Sequence, residues 1–328
     1  MRHNDDAFAT MLLMCQIDPS REELVRPLSI SEWHALRERV EHSPLGNMGA
    51  LLRTDMSELM QKLAISEEDA YRICVLLGRT LPLSMLFERI QARGIDMLTL
   101  QERNYPQALE DRLGVKAPPL IYLAGRSELF RQSAIAIIGA LEARGDAEAR
   151  VRGLARAAVQ AGYVVITDGA RGLGRIAEDE VRRHDGRVLS VLGGALSDAL
   201  DSPLGEMVRA RQAGALSLVH PDAPYTLSHA LERNKLIYAL AQAVFVFACD
   251  DGRGATWEGA REALNAKWCN FVYCWDTALY RGNRPLIARG ASVMPDLEQV
   301  GFEQLSAAWR SALAEQLSLF DDRPPRKW

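Results

Sequence analysis

The chain has 328 residues, 48% of them hydrophobic, and a net charge of −4, which is enough to bury one large core and a smaller second one. All of the −4 lies in residues 1–100, which carry 11 Lys and Arg against 15 Asp and Glu; the remaining 228 hold 28 of each. That balance excludes a protein that coats nucleic acid by bulk charge, so any nucleic-acid binding has to come from a local patch.

The first hundred residues read as short helices. Ser29-Ile30-Ser31-Glu32 has capping-box spacing ahead of Trp33, Leu36 and Val40. Ser66 precedes Glu67, Glu68 and Asp69, carboxylates that suit a helix N-terminus, and Ala70, Ile73, Cys74 and Leu77 follow at helical spacing. Another amphipathic piece over 85–92 stops at Gly94. These pieces predict a small bundle of helices over residues 1–100, expected to pack or to bind a partner without chemistry of its own.

From Ile95 the period changes. Apolar runs at 133–138, 163–167, 187–192, 215–219, 243–248 and 270–275 alternate with helical segments. Short, continuously apolar runs suit strands buried on both faces. The alternation predicts an α/β fold, a doubly wound parallel Rossmann-like sheet, over residues 101–300. One amphipathic helix over 303–320 and the polar tail from Asp321 to Trp328 complete the chain as residues 301–328. Ligands of such sheets bind beyond the carboxyl ends of the strands. Four of those ends are Gly-rich here: Gly139, the turn 169–174, Gly193-Gly194 and the turn 252–254. A Gly-rich strand-to-helix turn aims free N–H groups at an anion. No GxGxxG follows the first strand, so no dinucleotide cofactor is expected.

Five cysteines, Cys15, Cys74, Cys249, Cys269 and Cys274, lie in apolar contexts, and Cys269 and Cys274 are too far apart for a CxxC pair. Reduced core thiols are expected, and no metal site. No window holds the roughly eighteen apolar residues that span a bilayer. The opening residues Met1 to Asp6 lack the apolar core of a signal peptide, so a cytoplasmic location is expected.

The stretch Leu231-Glu232-Arg233-Asn234-Lys235-Leu236-Ile237 precedes the run 243–248, then Gly254-Ala255-Thr256-Trp257, then Gly282-Asn283-Arg284-Pro285-Leu286-Ile287-Ala288-Arg289-Gly290-Ala291. That order resembles the C-terminal half of the DNA-processing protein A (DprA/Smf) family. Tyr105-Pro106-Gln107-Ala108-Leu109 and Pro118-Pro119-Leu120-Ile121-Tyr122-Leu123-Ala124-Gly125 are similar to its lead-in. The resemblance extends over about residues 101–294. It implies single-stranded DNA as ligand, a homodimer formed through the Rossmann domain, and a recombinase as partner. Relatives with eroded motifs also act in bacterial anti-phage and toxin–antitoxin modules, which implies a toxin-like partner instead. No catalytic residue is expected.

Two turns depart from the family. Its first strand ends in GSR, whose arginine helps hold DNA, whereas this chain has Gly139-Ala140-Leu141. Its second turn reads SGxAxGIDxxAH. Here the aspartate is replaced by Gly174 and the histidine by Glu178, while Ala170, Gly172 and Ala177 keep their places and Asp168 enters the turn. The expected phosphate or nucleic-acid contacts are Gly139, Gly169, Arg171, Gly172, Arg175, Arg233, Asn234, Arg253, Gly254, Thr256, Trp257 and Asn283. Trp257 has two readings, a platform on which a base stacks or a core residue under the turn.

One enzyme reading stands beside these. The turn followed by Glu258, with Arg233 upstream, is similar to the phosphoribohydrolases of the lysine-decarboxylase-like group, in which an arginine holds phosphate and a glutamate faces the ribose. Their GGxGTxxE differs from this chain, where Ala255 separates Gly254 from Thr256 and shifts the carboxylate.

Overall fold

The structure, a computed structural model, describes residues 4–20, 23, 25–139, 142, 144–169, 172–250 and 252–321. The chain begins with α1 (Asp5–Met14), α2 (Ile30–Glu41), α3 (Met56–Leu63), α4 (Glu67–Leu77), α5 (Thr80–Ala92) and β1 (Ile95–Thr99). It continues through α6 (Gln107–Leu113), β2 (Leu120–Gly125), β3 (Ala134–Ile138), α7 (Ala147–Gln160), β4 (Val164–Thr167), α8 (Leu173–Arg183) and β5 (Arg187–Leu192). Then come α9 (Leu196–Ala199), α10 (Pro203–Arg209), β6 (Ala213–Ser217), α11 (Leu227–Leu240), β7 (Ala243–Val246) and α12 (Gly254–Ala266). The last elements are β8 (Phe271–Cys274), α13 (Asn283–Ala288), β9 (Ser292–Val293), α14 (Leu297–Val300) and α15 (Phe302–Asp321). Contacts divide the chain into two compact units, Met1–Gln132 with Val188–Leu240, and Ser133–Arg187 with Ala241–Trp328. The fold is α/β and Rossmann-like, with a helical region at the N-terminus.

In the first unit, α1 to α5 enclose a core that includes Ala9, Leu13, Trp33, Leu36, Val40, Leu59, Ile73 and Leu76. Side-chain caps fix where these helices start. The Ser29/Glu32 box forms as the spacing predicts, a second box joins Asp55 and Glu58, and the Ser66 hydroxyl accepts from the Asp69 N–H at 3.1 Å. Such a cap is worth about 1 kcal/mol. Arg72 on α4 donates to Glu32 on α2 at 2.9 Å. That guanidinium, with Arg26, holds the Glu32 carboxyl well below the usual carboxylate range.

The strands of this unit run in the order β1-β2-β6-β5. β2 is antiparallel to both β1 and β6, and only β5/β6 is parallel. The antiparallel edge departs from the parallel sheet expected. Its two strands are joined through α6 and 3-10 turns rather than by a tight hairpin, so the usual two-residue turn signal is missing. β6 also starts two residues before the expected run. Its Gly214 lets the Leu129 and Leu189 side chains approach to within 3.1 and 3.2 Å of where a Cβ would stand.

A buried histidine gives this unit a pH response. His220 is 2% exposed. Its Nδ1 accepts from the Asp222 N–H at 3.1 Å, which leaves the ring proton on Nε2, 3.4 Å from the Arg89 guanidinium. Burial pushes the imidazole below its ordinary value; Arg89 acts the same way, and Asp222, Asp18 and Glu23 oppose. A lowered value in the folded state means that the unfolded chain takes up the proton first as pH falls. Stability is therefore expected to be level above about pH 7 and to drop below about pH 6.5. Urea midpoints between about pH 5 and 8 for the native chain and His220→Gln test this. An equal pH dependence in both would exclude His220 as the cause.

In the second unit the strands run β4-β3-β7-β8-β9, and the paired registers of β3/β4, β3/β7, β7/β8 and β8/β9 are all parallel. The expected C-terminal helix docks here as α15. Trp309 is buried among aromatic rings, 6.0 Å from Phe245 and from Phe271 and 5.8 Å from Phe302. Its Nε1 donates to the Tyr273 hydroxyl at 2.9 Å. No helix among the described residues is long and apolar enough to cross a membrane.

Candidate functional site

The carboxyl ends of β7 and β8 in the second unit are held by one amide. Asn283 is fully buried. Its Nδ2 donates to the carbonyls of Phe247 and Trp275, both at 2.9 Å, and its Oδ1 accepts from the Cys249 N–H at 3.0 Å. Both amide hydrogens are thus used on the backbone just beyond β7 and β8. Asn283, expected among the phosphate contacts, is buried and braces the backbone beyond these strands. Gly282 is needed for the same approach, since a Cβ there would stand 2.7 Å from the Asp250 backbone. The neighbouring Cys274 thiol is pushed up to about 12 by burial, as an unreactive core thiol should be.

The turn into α12 has the features of an anion site. Gly252 and Gly254 adopt φ of +66° and +80°, a left-handed backbone that glycine takes at no steric cost. Arg253 is the N-cap residue, its own side chain makes no cap hydrogen bond, and no acidic residue sits in the first turn. Arg253 and Gly254 are exposed and Thr256 is half-buried. Trp257 is 3% exposed, and the Arg289 guanidinium lies 5.0 Å from its ring centre. Of its two readings the structure favours the core residue, because no ring face is open to a base. Glu258 points along its own helix to Arg261, at 2.6 and 3.0 Å.

The turn into α8 is built differently. Gly169 and Gly172 have φ of +60° and +85°, while Arg171 lies outside the described residues, as do Ala140, Leu141 and Ala170. The Thr167 hydroxyl donates to Glu178 at 2.7 Å. Arg175 faces carboxylates, 3.6 Å from Glu178 and 3.6 Å from Asp179. Asp168 reaches over the first turn of α8: its Oδ1 lies 2.5 Å from where a Cβ on Gly174 would be. Gly139 serves packing, because a Cβ there would meet the Leu173 side chain at 2.6 Å.

In the first unit Arg233 and Asn234 are each 5% exposed. Both are thus buried where exposed contacts were expected. α11 also buries Ala230, Leu236, Ile237, Tyr238 and Ala239, so the pair sits within a nearly all-round buried helix. Arg233 donates from Nη1 to the Val191 carbonyl at the end of β5, at 3.4 Å.

Sequence reasoning missed a set of arginines in the second unit. The Arg144 guanidinium lies 5.8 Å from the Tyr280 ring centre, and the Arg144 backbone N–H donates to the Tyr280 hydroxyl at 2.6 Å. Arg150 lies 5.3 Å from the Trp275 ring centre and donates to Asp146 at 2.5 Å. Arg284 pairs with Asp276 at 2.8 Å, and Arg281 is exposed beside Tyr280. Gly282 abuts Asp250, and Asp250 bridges to Arg253, so the backbones that carry Arg281, Arg284 and Arg253 adjoin. Aromatic rings beneath a guanidinium fix its position at little entropic cost. Among the described residues no group of three or more His, Cys, Asp or Glu could hold a metal ion.

The chain matches the family model for DNA recombination-mediator protein A over residues 96–304. It belongs to that family. Among solved structures it is similar to DNA processing protein A (DprA) from Streptococcus pneumoniae, at 16% identity and a TM-score of 0.62, over 83% of this chain and 97% of that one. It is also similar to DNA processing protein A from Helicobacter pylori, a structure that addresses single-stranded DNA binding, at 20% identity and a TM-score of 0.51, over 67% and 96%. These likenesses show the fold. No curated protein matches the chain.

Proposed function

We propose that this member of the family binds single-stranded DNA, without chemistry on it, along the band formed by Arg144, Arg150, Arg253, Arg281 and Arg284. The observation that carries the reading is the pair of guanidinium groups set on Tyr280 and Trp275. Planar guanidinium forks suit phosphate, and the H. pylori neighbour's structure concerns single-stranded DNA. The family's description as a mediator of recombination favours a recombinase over a toxin-like protein as partner, with the chain acting as a homodimer.

Each phosphate contact on a single strand adds about −0.7 to the slope of log affinity against log salt, so five contacts give roughly −3.5. Arg253→Gln should reduce the slope by about 0.7 and weaken all sequences alike. Arg233→Ala, by contrast, should lower stability and leave the slope unchanged, because Arg233 is buried. Fluorescence anisotropy with labelled oligonucleotides measures both. No binding at low salt would sink the reading.

Hydrolysis of a nucleotide needs a carboxylate placed to activate water or stabilise charge on the ribose. Glu258 is held by Arg261 on the surface of α12, so incubation with nucleoside monophosphates should release no base. Steady release that disappears in Glu258→Gln would replace binding by the phosphoribohydrolase reading.

A further inference from the structure

The second unit holds a cavity of about 410 Å³ beside α7, lined in part by Arg150, Gly153, Arg156, Phe247, Pro295 and Leu297. Its walls set Leu154, Phe247, Pro295 and Leu297 beside the carboxylates of Asp146 and Asp296, and Arg150 and Arg156 also line it. One of them, Arg150, also belongs to the arginine band, so the cavity opens where a bound strand would run. Gly153 sits in the middle of α7 with nothing within 4 Å of where a Cβ would be. A helix-interior glycine costs stability relative to alanine. Here no close packing and no left-handed backbone asks for it, and what its missing side chain leaves is open space on the cavity wall.

We propose that this cavity receives one base of the strand held on the arginine band, an inference that rests on the single-stranded DNA reading above. A phosphate on Arg150 places the attached nucleotide at the mouth. The apolar part of the wall, with Phe247, Pro295 and Leu297, offers a surface to a planar base, and Arg156 lines the same cavity for a neighbouring phosphate. Cavities of this volume fall in the range that takes small organic ligands. Every base has an apolar face, so the site is indifferent to sequence to the extent that stacking is. The buried Trp257 cannot serve as that platform, and the cavity supplies the missing place.

Anisotropy titrations with a labelled oligonucleotide, for the native chain and Gly153→Leu, test the proposal, with thermal melting as the control for folding. Leucine at 153 puts a bulky side chain into the cavity while favouring the helix. The melting temperature should hold or rise, and affinity should fall about 5- to 150-fold, the equivalent of the 1–3 kcal/mol that one stacked base is worth. The salt slope should stay unchanged, because no phosphate contact is lost. Gly153→Ala, with a smaller side chain, should give an intermediate loss and serves if the leucine variant does not fold. Native-like affinity in a folded Gly153→Leu would overturn the cavity proposal alone. A loss that comes with a reduced slope would assign the cavity to phosphate and overturn it too. Failure of the native chain to bind any oligonucleotide would remove the reading on which the proposal rests.

Discussion

Replacing Asn283 by Ala is expected to destabilise the protein by about 3–5 kcal/mol, far more than a typical surface change. The substitution leaves the Phe247 and Trp275 carbonyls and the Cys249 N–H without the partners that Asn283 supplies at 2.9, 2.9 and 3.0 Å. A buried polar group stripped of its partner costs about 1–3 kcal/mol. Asn283→Asp should do no better, because an ionised carboxylate can accept from Cys249 but cannot donate to two carbonyls. The effect should reach the arginine band as well. Trp275, under Arg150, and the 249–253 turn that carries Arg253 are the segments the amide ties down. Urea unfolding gives the stability, and oligonucleotide anisotropy on the folded fraction gives the affinity. A loss below about 1 kcal/mol would show that β7 and β8 hold their ends without it.

The Asn283 result shows what local sequence can and cannot reveal. The strands from β3 to β8 were legible because a short apolar run between glycines has few other structural solutions, and α2 and α4 because their caps lie within three residues of each other. The Gly282-Asn283 pair was legible as a motif, but its role was not, since its partners at Phe247 and Trp275 are strand ends 36 and 8 residues away. Arg144 was hidden for the same reason, as its support from Tyr280 comes from 136 residues further on. Arg233 and Asn234 read as ligand contacts because their identities are polar. Their burial follows from their neighbours on α11, where Ala230, Leu236, Ile237, Tyr238 and Ala239 are buried too. The antiparallel β1/β2 edge had no tight turn to announce it. In each case the missing signal is tertiary, a partner brought by the fold and not by spacing.

The turn into α8 carries the last expected result, a swap. The resemblance to the family places a carboxylate at 174, where this chain has glycine. In the structure Asp168, 8% exposed, brings its own carboxylate to within 2.5 Å of the missing Cβ. Two positions six residues apart thus deliver one anion to one place, against the first turn of α8, whose free N–H groups favour negative charge. Gly174→Asp alone would put two carboxylates in that place. The Asp168 side chain can swing aside, so the steric cost is small, but like charges in a buried turn repel. The single variant should lose about 2–3 kcal/mol. Asp168→Gly alone should lose about 1 kcal/mol, the worth of an anion at a helix start. The double variant, Asp168→Gly with Gly174→Asp, should recover most of both losses, leaving a coupling of about 1–3 kcal/mol between the sites. Urea midpoints of the four proteins close the cycle. Additive losses would mean that the two positions do not share a slot, and that Asp168 does not stand in for the family's aspartate.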